Sequence, residues 1–248
     1  MRAIVAALVA LFGVLSYCSG TTDNPITGEQ QRVRLTAEQE VELGRKLAPQ
    51  MAAQFGGISP DAGRELVNRV GSRIVAQSSA ARTQYKFDFH LLADNRTVNA
   101  FALPGGQIFI TEALLKLLKS EDEVAGVLGH EVGHVLARHS AEHLAKQQLT
   151  QQLIGAIAIG SGSYDATQLA QIAGSLINMK HGREDELESD SLGLRLMREA
   201  GYDPRAMLSV MQKLENASGG SRQPEFASTH PSPANRIARI REQLDKPQ

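Results

Sequence analysis

The sequence has few of the residues on which several classes of protein depend. Its 248 residues include one cysteine, no tryptophan and only 4% aromatic side chains. A lone cysteine excludes a disulfide framework and a zinc site built from thiolates. The 26 basic and 27 acidic residues nearly balance, at a formal net charge of −1, so the basic surface typical of nucleic-acid-binding proteins is missing. The scarcity of aromatic rings also argues against stacking on bases or sugars.

One long apolar run is present, and it lies at the N-terminus. Arg2 is followed by thirteen uninterrupted apolar residues, Ala3 to Leu15, which is short for a membrane span of about 20 residues but typical of an export signal. Cys18 follows directly. The segment resembles a bacterial lipoprotein signal, which implies lipidation of Cys18, although Tyr17 stands where Gly, Ala or Ser is usual. The alternatives are ordinary cleavage near Gly20 or an uncleaved anchor.

The remaining chain is predicted to form a single folded domain. We expect residues 1–18 to be the export signal, residues 19–34 to be a tether and loop, and residues 35–248 to be the domain. The 42% apolar composition is sufficient to bury a core. A shorter apolar run at residues 153–160 fits a buried helix end or loop, or alternatively a flexible flap near a substrate cleft.

Local patterns predict an α+β fold that is predominantly helical. Thr36 and Gln39 form a capping box that begins a helix reaching about Phe55. Pro60 is expected at the first position of a second helix that ends near Ser78. Alternating or extended segments then predict a small antiparallel or mixed sheet of three to four strands, at Tyr85–His90, Val98–Ala102 and Gln107–Thr111. The rest is predicted to be helical.

The most informative motif is His130-Glu131-Val132-Gly133-His134. Histidines at positions i and i+4 lie on one helix face, roughly 5–6 Å apart at Cβ, so both imidazoles can reach one ion at about 2.0–2.1 Å. Glu131 lies about 100° around the helix, where it cannot be a third ligand but can reach a water on the metal. This arrangement suits metal-assisted peptide hydrolysis. A capping box from Ser120 to Glu123 indicates that the helix begins upstream and is largely buried.

A catalytic zinc keeps three protein ligands and an open position, so a third ligand is required. Acidic residues cluster between Arg183 and Asp190. Glu186 and Asp190 are spaced i and i+4, so an inward Glu186 would bring Asp190 behind a ligating histidine, where it could fix the tautomer. Glu184 and Glu188 have the same spacing, and the spacing does not choose between the pairs.

Other histidines are expected outside the ligand set. His90, on a predicted strand, is interpreted as structural. His139 lies about 140° around the helix from His134, so we expect it to support the site from behind rather than to bind the metal. His143 and His181 are predicted to be surface residues.

Five segments in this order resemble the HtpX-like and CAAX-prenyl-endopeptidase-like zinc metallopeptidases, which are gluzincins. The resemblance covers roughly residues 25–245 and implies a zincin-type domain with one Zn²⁺ per chain. The segments are Asn24–Gly28, Asn99–Gly106, His130–Ser140, Arg183–Asp190 and Thr229–Pro231.

The resemblance also implies roles for single residues. Glu186 is the third zinc ligand, with Asp190 behind His130. His230 approaches the site and either stabilises the oxyanion or blocks the metal in a resting state. Apart from the resemblance, Arg183 is a further candidate for stabilising the intermediate. Asn99 and Ala100 lie on the strand edge along which an extended substrate binds through main-chain hydrogen bonds.

Together these features predict a zinc-dependent metalloendopeptidase with Glu131 as general base, acting on misfolded or misassembled envelope proteins. The resemblance is to small periplasmic lipoprotein-type bacterial members, and Ser19 after Cys18 favours the outer membrane. One alternative is a zinc-containing periplasmic chaperone or assembly factor. Another is a metal esterase or amidase that acts on cell-wall material, which the few aromatic residues disfavour. The sequence does not specify an oligomeric state.

Overall fold

The computed structural model describes residues 21–154, 172, 174–176, 181–218, 226, 229–230 and 235–245. Side chains of residues 148–154 and 218 are not described. The proposed lipidation site Cys18 and most of the apolar run at 153–160 therefore lie outside the described residues. Within the described part, no helix combines the length and apolar character needed to cross a bilayer.

Helices dominate the described part of the fold, and a two-stranded and a three-stranded sheet precede the motif helix. The strands are β1 (Thr21–Asp23), β2 (Gln30–Arg32), β3 (Asp88–Leu92), β4 (Ala100–Ala102) and β5 (Gln107–Thr111). The helices are α1 (Ala37–Gln54), α2 (Gly63–Ala76), α3 (Glu112–Leu117), α4 (Glu121–Leu136), α5 (His139–Ile154), α6 (Arg183–Glu199), α7 (Ala206–Ser218) and α8 (Arg236–Asp245). Short 3₁₀ turns occupy Ser79–Arg82 and Pro104–Gly106.

The two N-terminal helices differ in how closely they follow the prediction. Helix α1 begins with the expected reciprocal capping box between Thr36 and Gln39. Helix α2 begins at Gly63 rather than at Pro60, so the predicted start was wrong. The Ser59 hydroxyl accepts from the Asp61 N–H at 3.0 Å, and the Asp61 carboxylate accepts from the Gly63 N–H at 2.7 Å. These bonds hold a turn that delays the helix.

The sheet before the motif helix has three strands in the order β3-β5-β4. Strand β3 runs parallel to β5 and β4 runs antiparallel to it, so the sheet is mixed, as one of the two predicted alternatives. The Pro104–Gly106 turn joins β4 to β5. Because β5 is central, β4 is an edge strand of this sheet.

Residues 21–32, predicted to be a tether and loop, contain the antiparallel pair β1-β2. The Asn24 side-chain amide donates to the Leu136 carbonyl at 2.8 Å, and the Gln31 amide donates to the Ala137 carbonyl. These carbonyls end helix α4 and have no partner within the helix. The hairpin therefore caps the C-terminal end of the motif helix.

Helix α4 is buried along nearly its whole length and packs closely on α6. At Gly133 a Cβ atom would lie 2.9 Å from the Ser189 carbonyl oxygen, and at Gly193 it would lie 3.1 Å from the backbone nitrogen of His130. Side chains at these positions would push the helices apart. The glycines therefore allow the close approach that brings the acidic helix α6 to the histidines of α4.

The N-terminus of α4 departs from the predicted capping box. The Ser120 hydroxyl accepts from the Glu123 N–H as expected. The Glu123 carboxylate, however, accepts from the Lys119 N–H and from Lys213 on α7 instead of returning to Ser120. The hydrogen bond from the Ser120 N–H to Glu123 is therefore missing from the capping box, because Lys119 and Lys213 bind the carboxylate instead.

Candidate metal centre

The two motif histidines face each other inside the protein. His130 and His134 are each only 2% exposed. Their Nε2 atoms lie 3.0 Å apart, as the i and i+4 spacing on one helix face predicts. Two nitrogen lone pairs directed at one point are a natural binding place for a cation.

The carboxylate that completes this pair is Glu186 on α6. Its two oxygens lie 3.5 Å from His130 Nε2 and 3.4 Å from His134 Nε2. In the alternative pair with the same spacing, Glu184 is exposed, and Glu188 accepts a hydrogen bond from His139 Nε2 at 3.0 Å. Those two residues lie on another face of α6, so the structure brings only Glu186 to both histidines.

His230 adds a fourth donor to this group. Its Nδ1 lies 3.0 Å from Glu186 Oε1 and 3.4 Å from His130 Nε2, and its ring stacks on Phe226 at 4.5 Å between centroids. We call His130, His134, Glu186 and His230 the inner cluster. All four are buried, with donor atoms within 4.8 Å of one another.

Hydrogen bonds behind the histidines set their tautomers. His130 Nδ1 lies 3.0 Å from Asp190 Oδ1, as expected for the carboxylate behind that ring. His134 Nδ1 lies 2.8 Å from His139 Nδ1, and His139 Nε2 in turn contacts Glu188. When Asp190 and Glu188 accept hydrogen bonds from these rings, the Nε2 atoms of His130 and His134 are left with free lone pairs.

Arg236 is a component of the site that was not predicted. Its side chain is 1% exposed, with Nη1 2.7 Å from Glu186 Oε2 and Nε 2.7 Å from Asp190 Oδ2. The predicted arginine, Arg183, is exposed at the start of α6. The sequence contained a signal for the burial of Arg236, because this residue precedes the buried Ile240 by one helical turn and so lies on the same apolar helix face.

Glu131 has a buried carboxylate. Within the described residues, neither of its side-chain oxygens has a hydrogen-bond partner, and His230 Nε2 lies 3.7 Å from Glu131 Oε1. Burial raises the pKa of Glu131 above its ordinary value, although His230 and His130 oppose this. The carboxyl group is therefore disposed to take up a proton.

The inner cluster separates charge between its members. Burial lowers the pKa of His134 well below its ordinary value, and His181 adds to this effect. Burial opposes ionisation of Glu186, but His230 and His130 outweigh it and hold the Glu186 pKa well below its usual range. In His134 and Glu186 these shifts favour the neutral imidazole and the ionised carboxylate that a metal requires of its ligands. In His130 burial lowers the pKa, but hydrogen bonds to Asp190 and Glu186 outweigh it and raise the pKa to about 9, so this ring must release a proton when a metal binds.

His181 is not the surface residue that was predicted. Its ring centroid lies 4.0 Å from that of His134 and 5.0 Å from that of His230. His143 is half-buried and pairs with Asp185 at 2.8 Å. His90 stacks on Phe109 at 4.7 Å, in agreement with a structural role. Contacts between separate helices, which no sequence spacing records, bring His181 inward.

A small pocket, which we call the cleft, lies between His230 of the inner cluster and strand β4. Its lining includes Asn99, Phe101, Ala102, His181 and His230. Asn99 is buried, and its side-chain oxygen has no hydrogen-bond partner in the described part of the chain. Ala100 is also fully buried, and strand β4 pairs with β5 on one side.

Comparison with known proteins agrees with this arrangement. The model of peptidase family M48 matches residues 62–244. The chain belongs to peptidase family M48. The beta-barrel assembly-enhancing protease of Yersinia pestis is 31% identical over 233 residues, which are 90% of this chain and 47% of that protein. The mitochondrial metalloendopeptidase OMA1 of Schizosaccharomyces pombe is 37% identical over 187 residues, 73% of this chain and 53% of that protein.

The beta-barrel assembly-enhancing protease of Escherichia coli strain K12 is 28% identical over 258 residues, covering 98% of this chain and 52% of that protein. This chain therefore spans about half the length of these relatives. Membership of M48 confirms the predicted zinc metallopeptidase family and the zincin-type α+β fold.

The donor atoms of this M48 chain fit a tetrahedral zinc ion. Ligand atoms about 2.0–2.1 Å from such an ion lie about 3.3–3.4 Å apart. The separations between Glu186 and the two motif histidines are 3.4 and 3.5 Å, and the histidine nitrogens, 3.0 Å apart, would separate slightly around an ion. Among the described residues no aligned hydrogen bond reaches Glu186 Oε2, although Arg236 Nη1 lies 2.7 Å from it. Imidazole and carboxylate are also donors that zinc accepts. M48 metallopeptidases are zinc-dependent in general.

Proposed function

We propose that this protein is a zinc-dependent metalloendopeptidase. The observation that carries the proposal is the buried carboxylate of Glu131, which has no hydrogen-bond partner among the described residues, beside a cluster of donors that could hold a metal ion. A structural metal site has no use for such a base, because it is closed by protein ligands and performs no proton transfer. Membership of family M48 supports the same conclusion.

His130, His134 and Glu186 are the residues that would hold the zinc. A zinc ion bound there supplies a water of lowered pKa and polarises a carbonyl group. Asp190 and His139 would orient the two imidazoles, and Arg236 would orient both carboxylates. These contacts support a preorganised ligand set.

Glu131 acts as the general base in this proposal. Its pKa is raised by burial, which favours acceptance of a proton from the attacking water. It then donates that proton to the amine nitrogen that leaves when the peptide bond breaks. One carboxyl group can serve both steps because neither oxygen has a competing hydrogen bond in the part of the chain that the structure describes.

His230 has two proposed roles, which belong to different states. With Nδ1 among the ligand atoms, it occupies the fourth position of a resting site. Once displaced from that position, its ring is near enough to Glu131 to stabilise negative charge on the reacting carbonyl oxygen. Arg183 remains a candidate for this second task only if its exposed side chain moves.

We propose polypeptides as the substrates, in agreement with the relatives' names. The cleft borders edge strand β4, and pairing of an extended segment with that edge through main-chain hydrogen bonds would tolerate many sequences. Contacts at Asn99 and Ala100 themselves would require this edge to open, because the Asn99 main chain bonds Thr111 and Ala100 is buried. A relative named for β-barrel assembly suggests misfolded or misassembled envelope proteins. A periplasmic location, with a lipid anchor at Cys18 in the outer membrane, completes this proposal.

A periplasmic chaperone or assembly factor that contains zinc is the second candidate. The observation that favours it is His230, because four protein donors are typical of a structural zinc site. The two candidates differ in whether Glu131 matters. A chaperone needs the metal but has no need of a carboxylate beside it.

The decisive variant is Glu131→Gln. We expect it to bind one zinc at the inner cluster as the wild type does and to cleave a casein-type substrate about 10²–10⁴-fold more slowly, the usual contribution of a general base. Bound zinc is counted by elemental analysis and cleavage by release of soluble peptides. The matched control is Glu121→Gln, on the same helix but exposed, which should leave cleavage unchanged. Wild-type cleavage by Glu131→Gln would reject the proposed mechanism.

A further inference from the structure

A second group of metal-binding side chains lies outside the inner cluster. It consists of His143 on α5, His181 just before α6, and Asp185 in the first turn of α6, and we call it the outer cluster. Their donor atoms all lie within 4.8 Å of one another. We propose that the outer cluster is a second binding site for a divalent transition-metal ion, distinct from the proposed catalytic zinc.

The separations in the outer cluster are close to those that one ion requires. His143 Nε2 lies 2.8 Å from Asp185 Oδ2, and His181 Nδ1 lies 4.0 Å from the same oxygen. Ligands of a tetrahedral zinc are about 3.3–3.4 Å apart. One distance is therefore slightly short and the other slightly long, and small side-chain rotations would equalise them.

His181 supplies an independent observation. Its side chain is only 10% exposed, and within the described residues its Nδ1 has no hydrogen-bond partner. A buried polar atom without a partner is costly and unusual in a native protein. An ion shared with Asp185 and His143 would satisfy this nitrogen.

The chemistry of the donors indicates which ions the outer cluster would take. Two imidazoles and one carboxylate suit Zn²⁺, Cu²⁺ or Ni²⁺ rather than Mg²⁺ or Ca²⁺, which prefer oxygen ligands. His143 and Asp185 are 24% and 20% exposed, so an ion can enter from solvent and keep water as its remaining ligand. We expect weaker binding than at the inner cluster, because fewer protein atoms surround the ion.

A different grouping of histidines is less suitable for a second ion. His134, His139 and His181 also lie close together. His134 Nδ1 and His139 Nδ1, however, already contact each other at 2.8 Å, so their donor atoms are satisfied without a metal. The outer cluster also has a short contact, between His143 and Asp185, but it adds a carboxylate to two imidazoles, and both of these side chains are partly exposed to solvent.

An ion in the outer cluster would have a consequence for the cleft. His181 lines the cleft and its ring lies against those of His134 and His230. Coordination through Nδ1 would hold that ring in place and connect α5 to the start of α6. We therefore expect excess zinc to reduce substrate cleavage through the outer cluster.

Zinc stoichiometry tests the proposal directly. A preparation of the full chain without a histidine tag is dialysed against buffered Zn²⁺, and bound metal is counted by elemental analysis. We expect two ions per wild-type chain, one bound at least tenfold more weakly than the other, and one ion per His143→Ala chain. The matched control is His90→Ala, which removes a half-buried histidine outside both clusters and should leave two ions.

A second pair of variants separates the two sites. His130→Ala should keep one weakly bound ion, and the double variant His130→Ala/His143→Ala should bind none. Circular dichroism without metal confirms that each variant is folded. In excess zinc, inhibition of cleavage should require about tenfold more metal in His143→Ala than in the wild type.

A single ion in the wild type, or two ions in a folded His143→Ala variant, would overturn the outer site. Loss of the proposed peptidase activity would not, because the ion count does not depend on cleavage. Two bound ions with equal zinc inhibition in the wild type and His143→Ala would reject the effect on the cleft.

Discussion

The inner and outer clusters use the same types of side chain in different surroundings. The charged and imidazole groups of the inner cluster are at most 2% exposed, and Asp190, His139 and Arg236 contact them from behind. The side chains of the outer cluster are 10–24% exposed. Asp185 receives hydrogen bonds from His143 and from the Gly182 N–H, whereas His181 Nδ1 has no partner among the described residues.

This difference concerns preorganisation rather than donor chemistry. In the inner cluster the tautomer and orientation of each ligand are determined before a metal arrives, which raises affinity. In the outer cluster at least one ligand must adjust when an ion binds, and that adjustment reduces affinity. Similar donors can therefore serve a tightly held ion in one place and an exchangeable ion in the other.

The largest effect on this comparison is expected from Arg236→Met. Two buried carboxylates would lose their shared cation, and leaving a buried charge unpaired costs about 3–5 kcal/mol. We expect this loss in urea unfolding of the metal-free protein. In a separate zinc titration, the folded variant should still bind an ion at the outer cluster. The control Arg239→Met, on the same helix but in an exposed pair with Glu242, should change stability little. Equal losses in both variants would show that Arg236 has no special role.

A smaller effect is expected from Asp190→Asn. Asn is a weaker partner for His130 Nδ1, and loss of such a supporting group typically lowers metal affinity about 10–100-fold. Competition with a chromophoric chelator should show this decrease at the inner cluster only. Glu188→Gln, which acts one residue farther back through His139, should lower affinity less. An unchanged zinc affinity in Asp190→Asn would show that preorganisation of the ligands does not distinguish the inner cluster from the outer cluster.

The smallest effect is expected from Glu123→Gln, a buried carboxylate on α4 outside both clusters. Burial alone would raise its pKa, but hydrogen bonds from Lys213 and Ser209 outweigh burial and hold it below the ordinary value. A lowered pKa means that the ionised form stabilises the fold above pH 4.5 and that this stability is lost as the pH falls further. The substitution should cost about 1–2 kcal/mol at pH 7.

Thermal or urea unfolding across pH 7 to 3 measures this cost. The difference between wild type and Glu123→Gln should shrink toward acid, while zinc binding at pH 7 stays at wild-type level. A difference that is constant over this range would show that the carboxylate is not ionised in its contact with Lys213.

Much of the fold follows from local patterns in the sequence. The capping box at Thr36 and the strand Gln107–Thr111 occur at the predicted positions. Local signals were less reliable where side chains compete for the backbone, as at Ser59 and Asp61, which delay α2. The hairpin in residues 21–32 was missed because its partners, the carbonyls ending α4, are more than 100 residues away.

The sequence by itself determined the facing pair His130 and His134 and the separate direction of Glu131, because helix geometry fixes relations over one turn. Only the tertiary structure decided between Glu186 and Glu184 as the third ligand. It also placed the Arg236 side chain in the interior beside the site and the His181 ring against His134. Those outcomes depend on how closely α4, α6 and α8 approach one another. Helix periodicity contains no information about that distance.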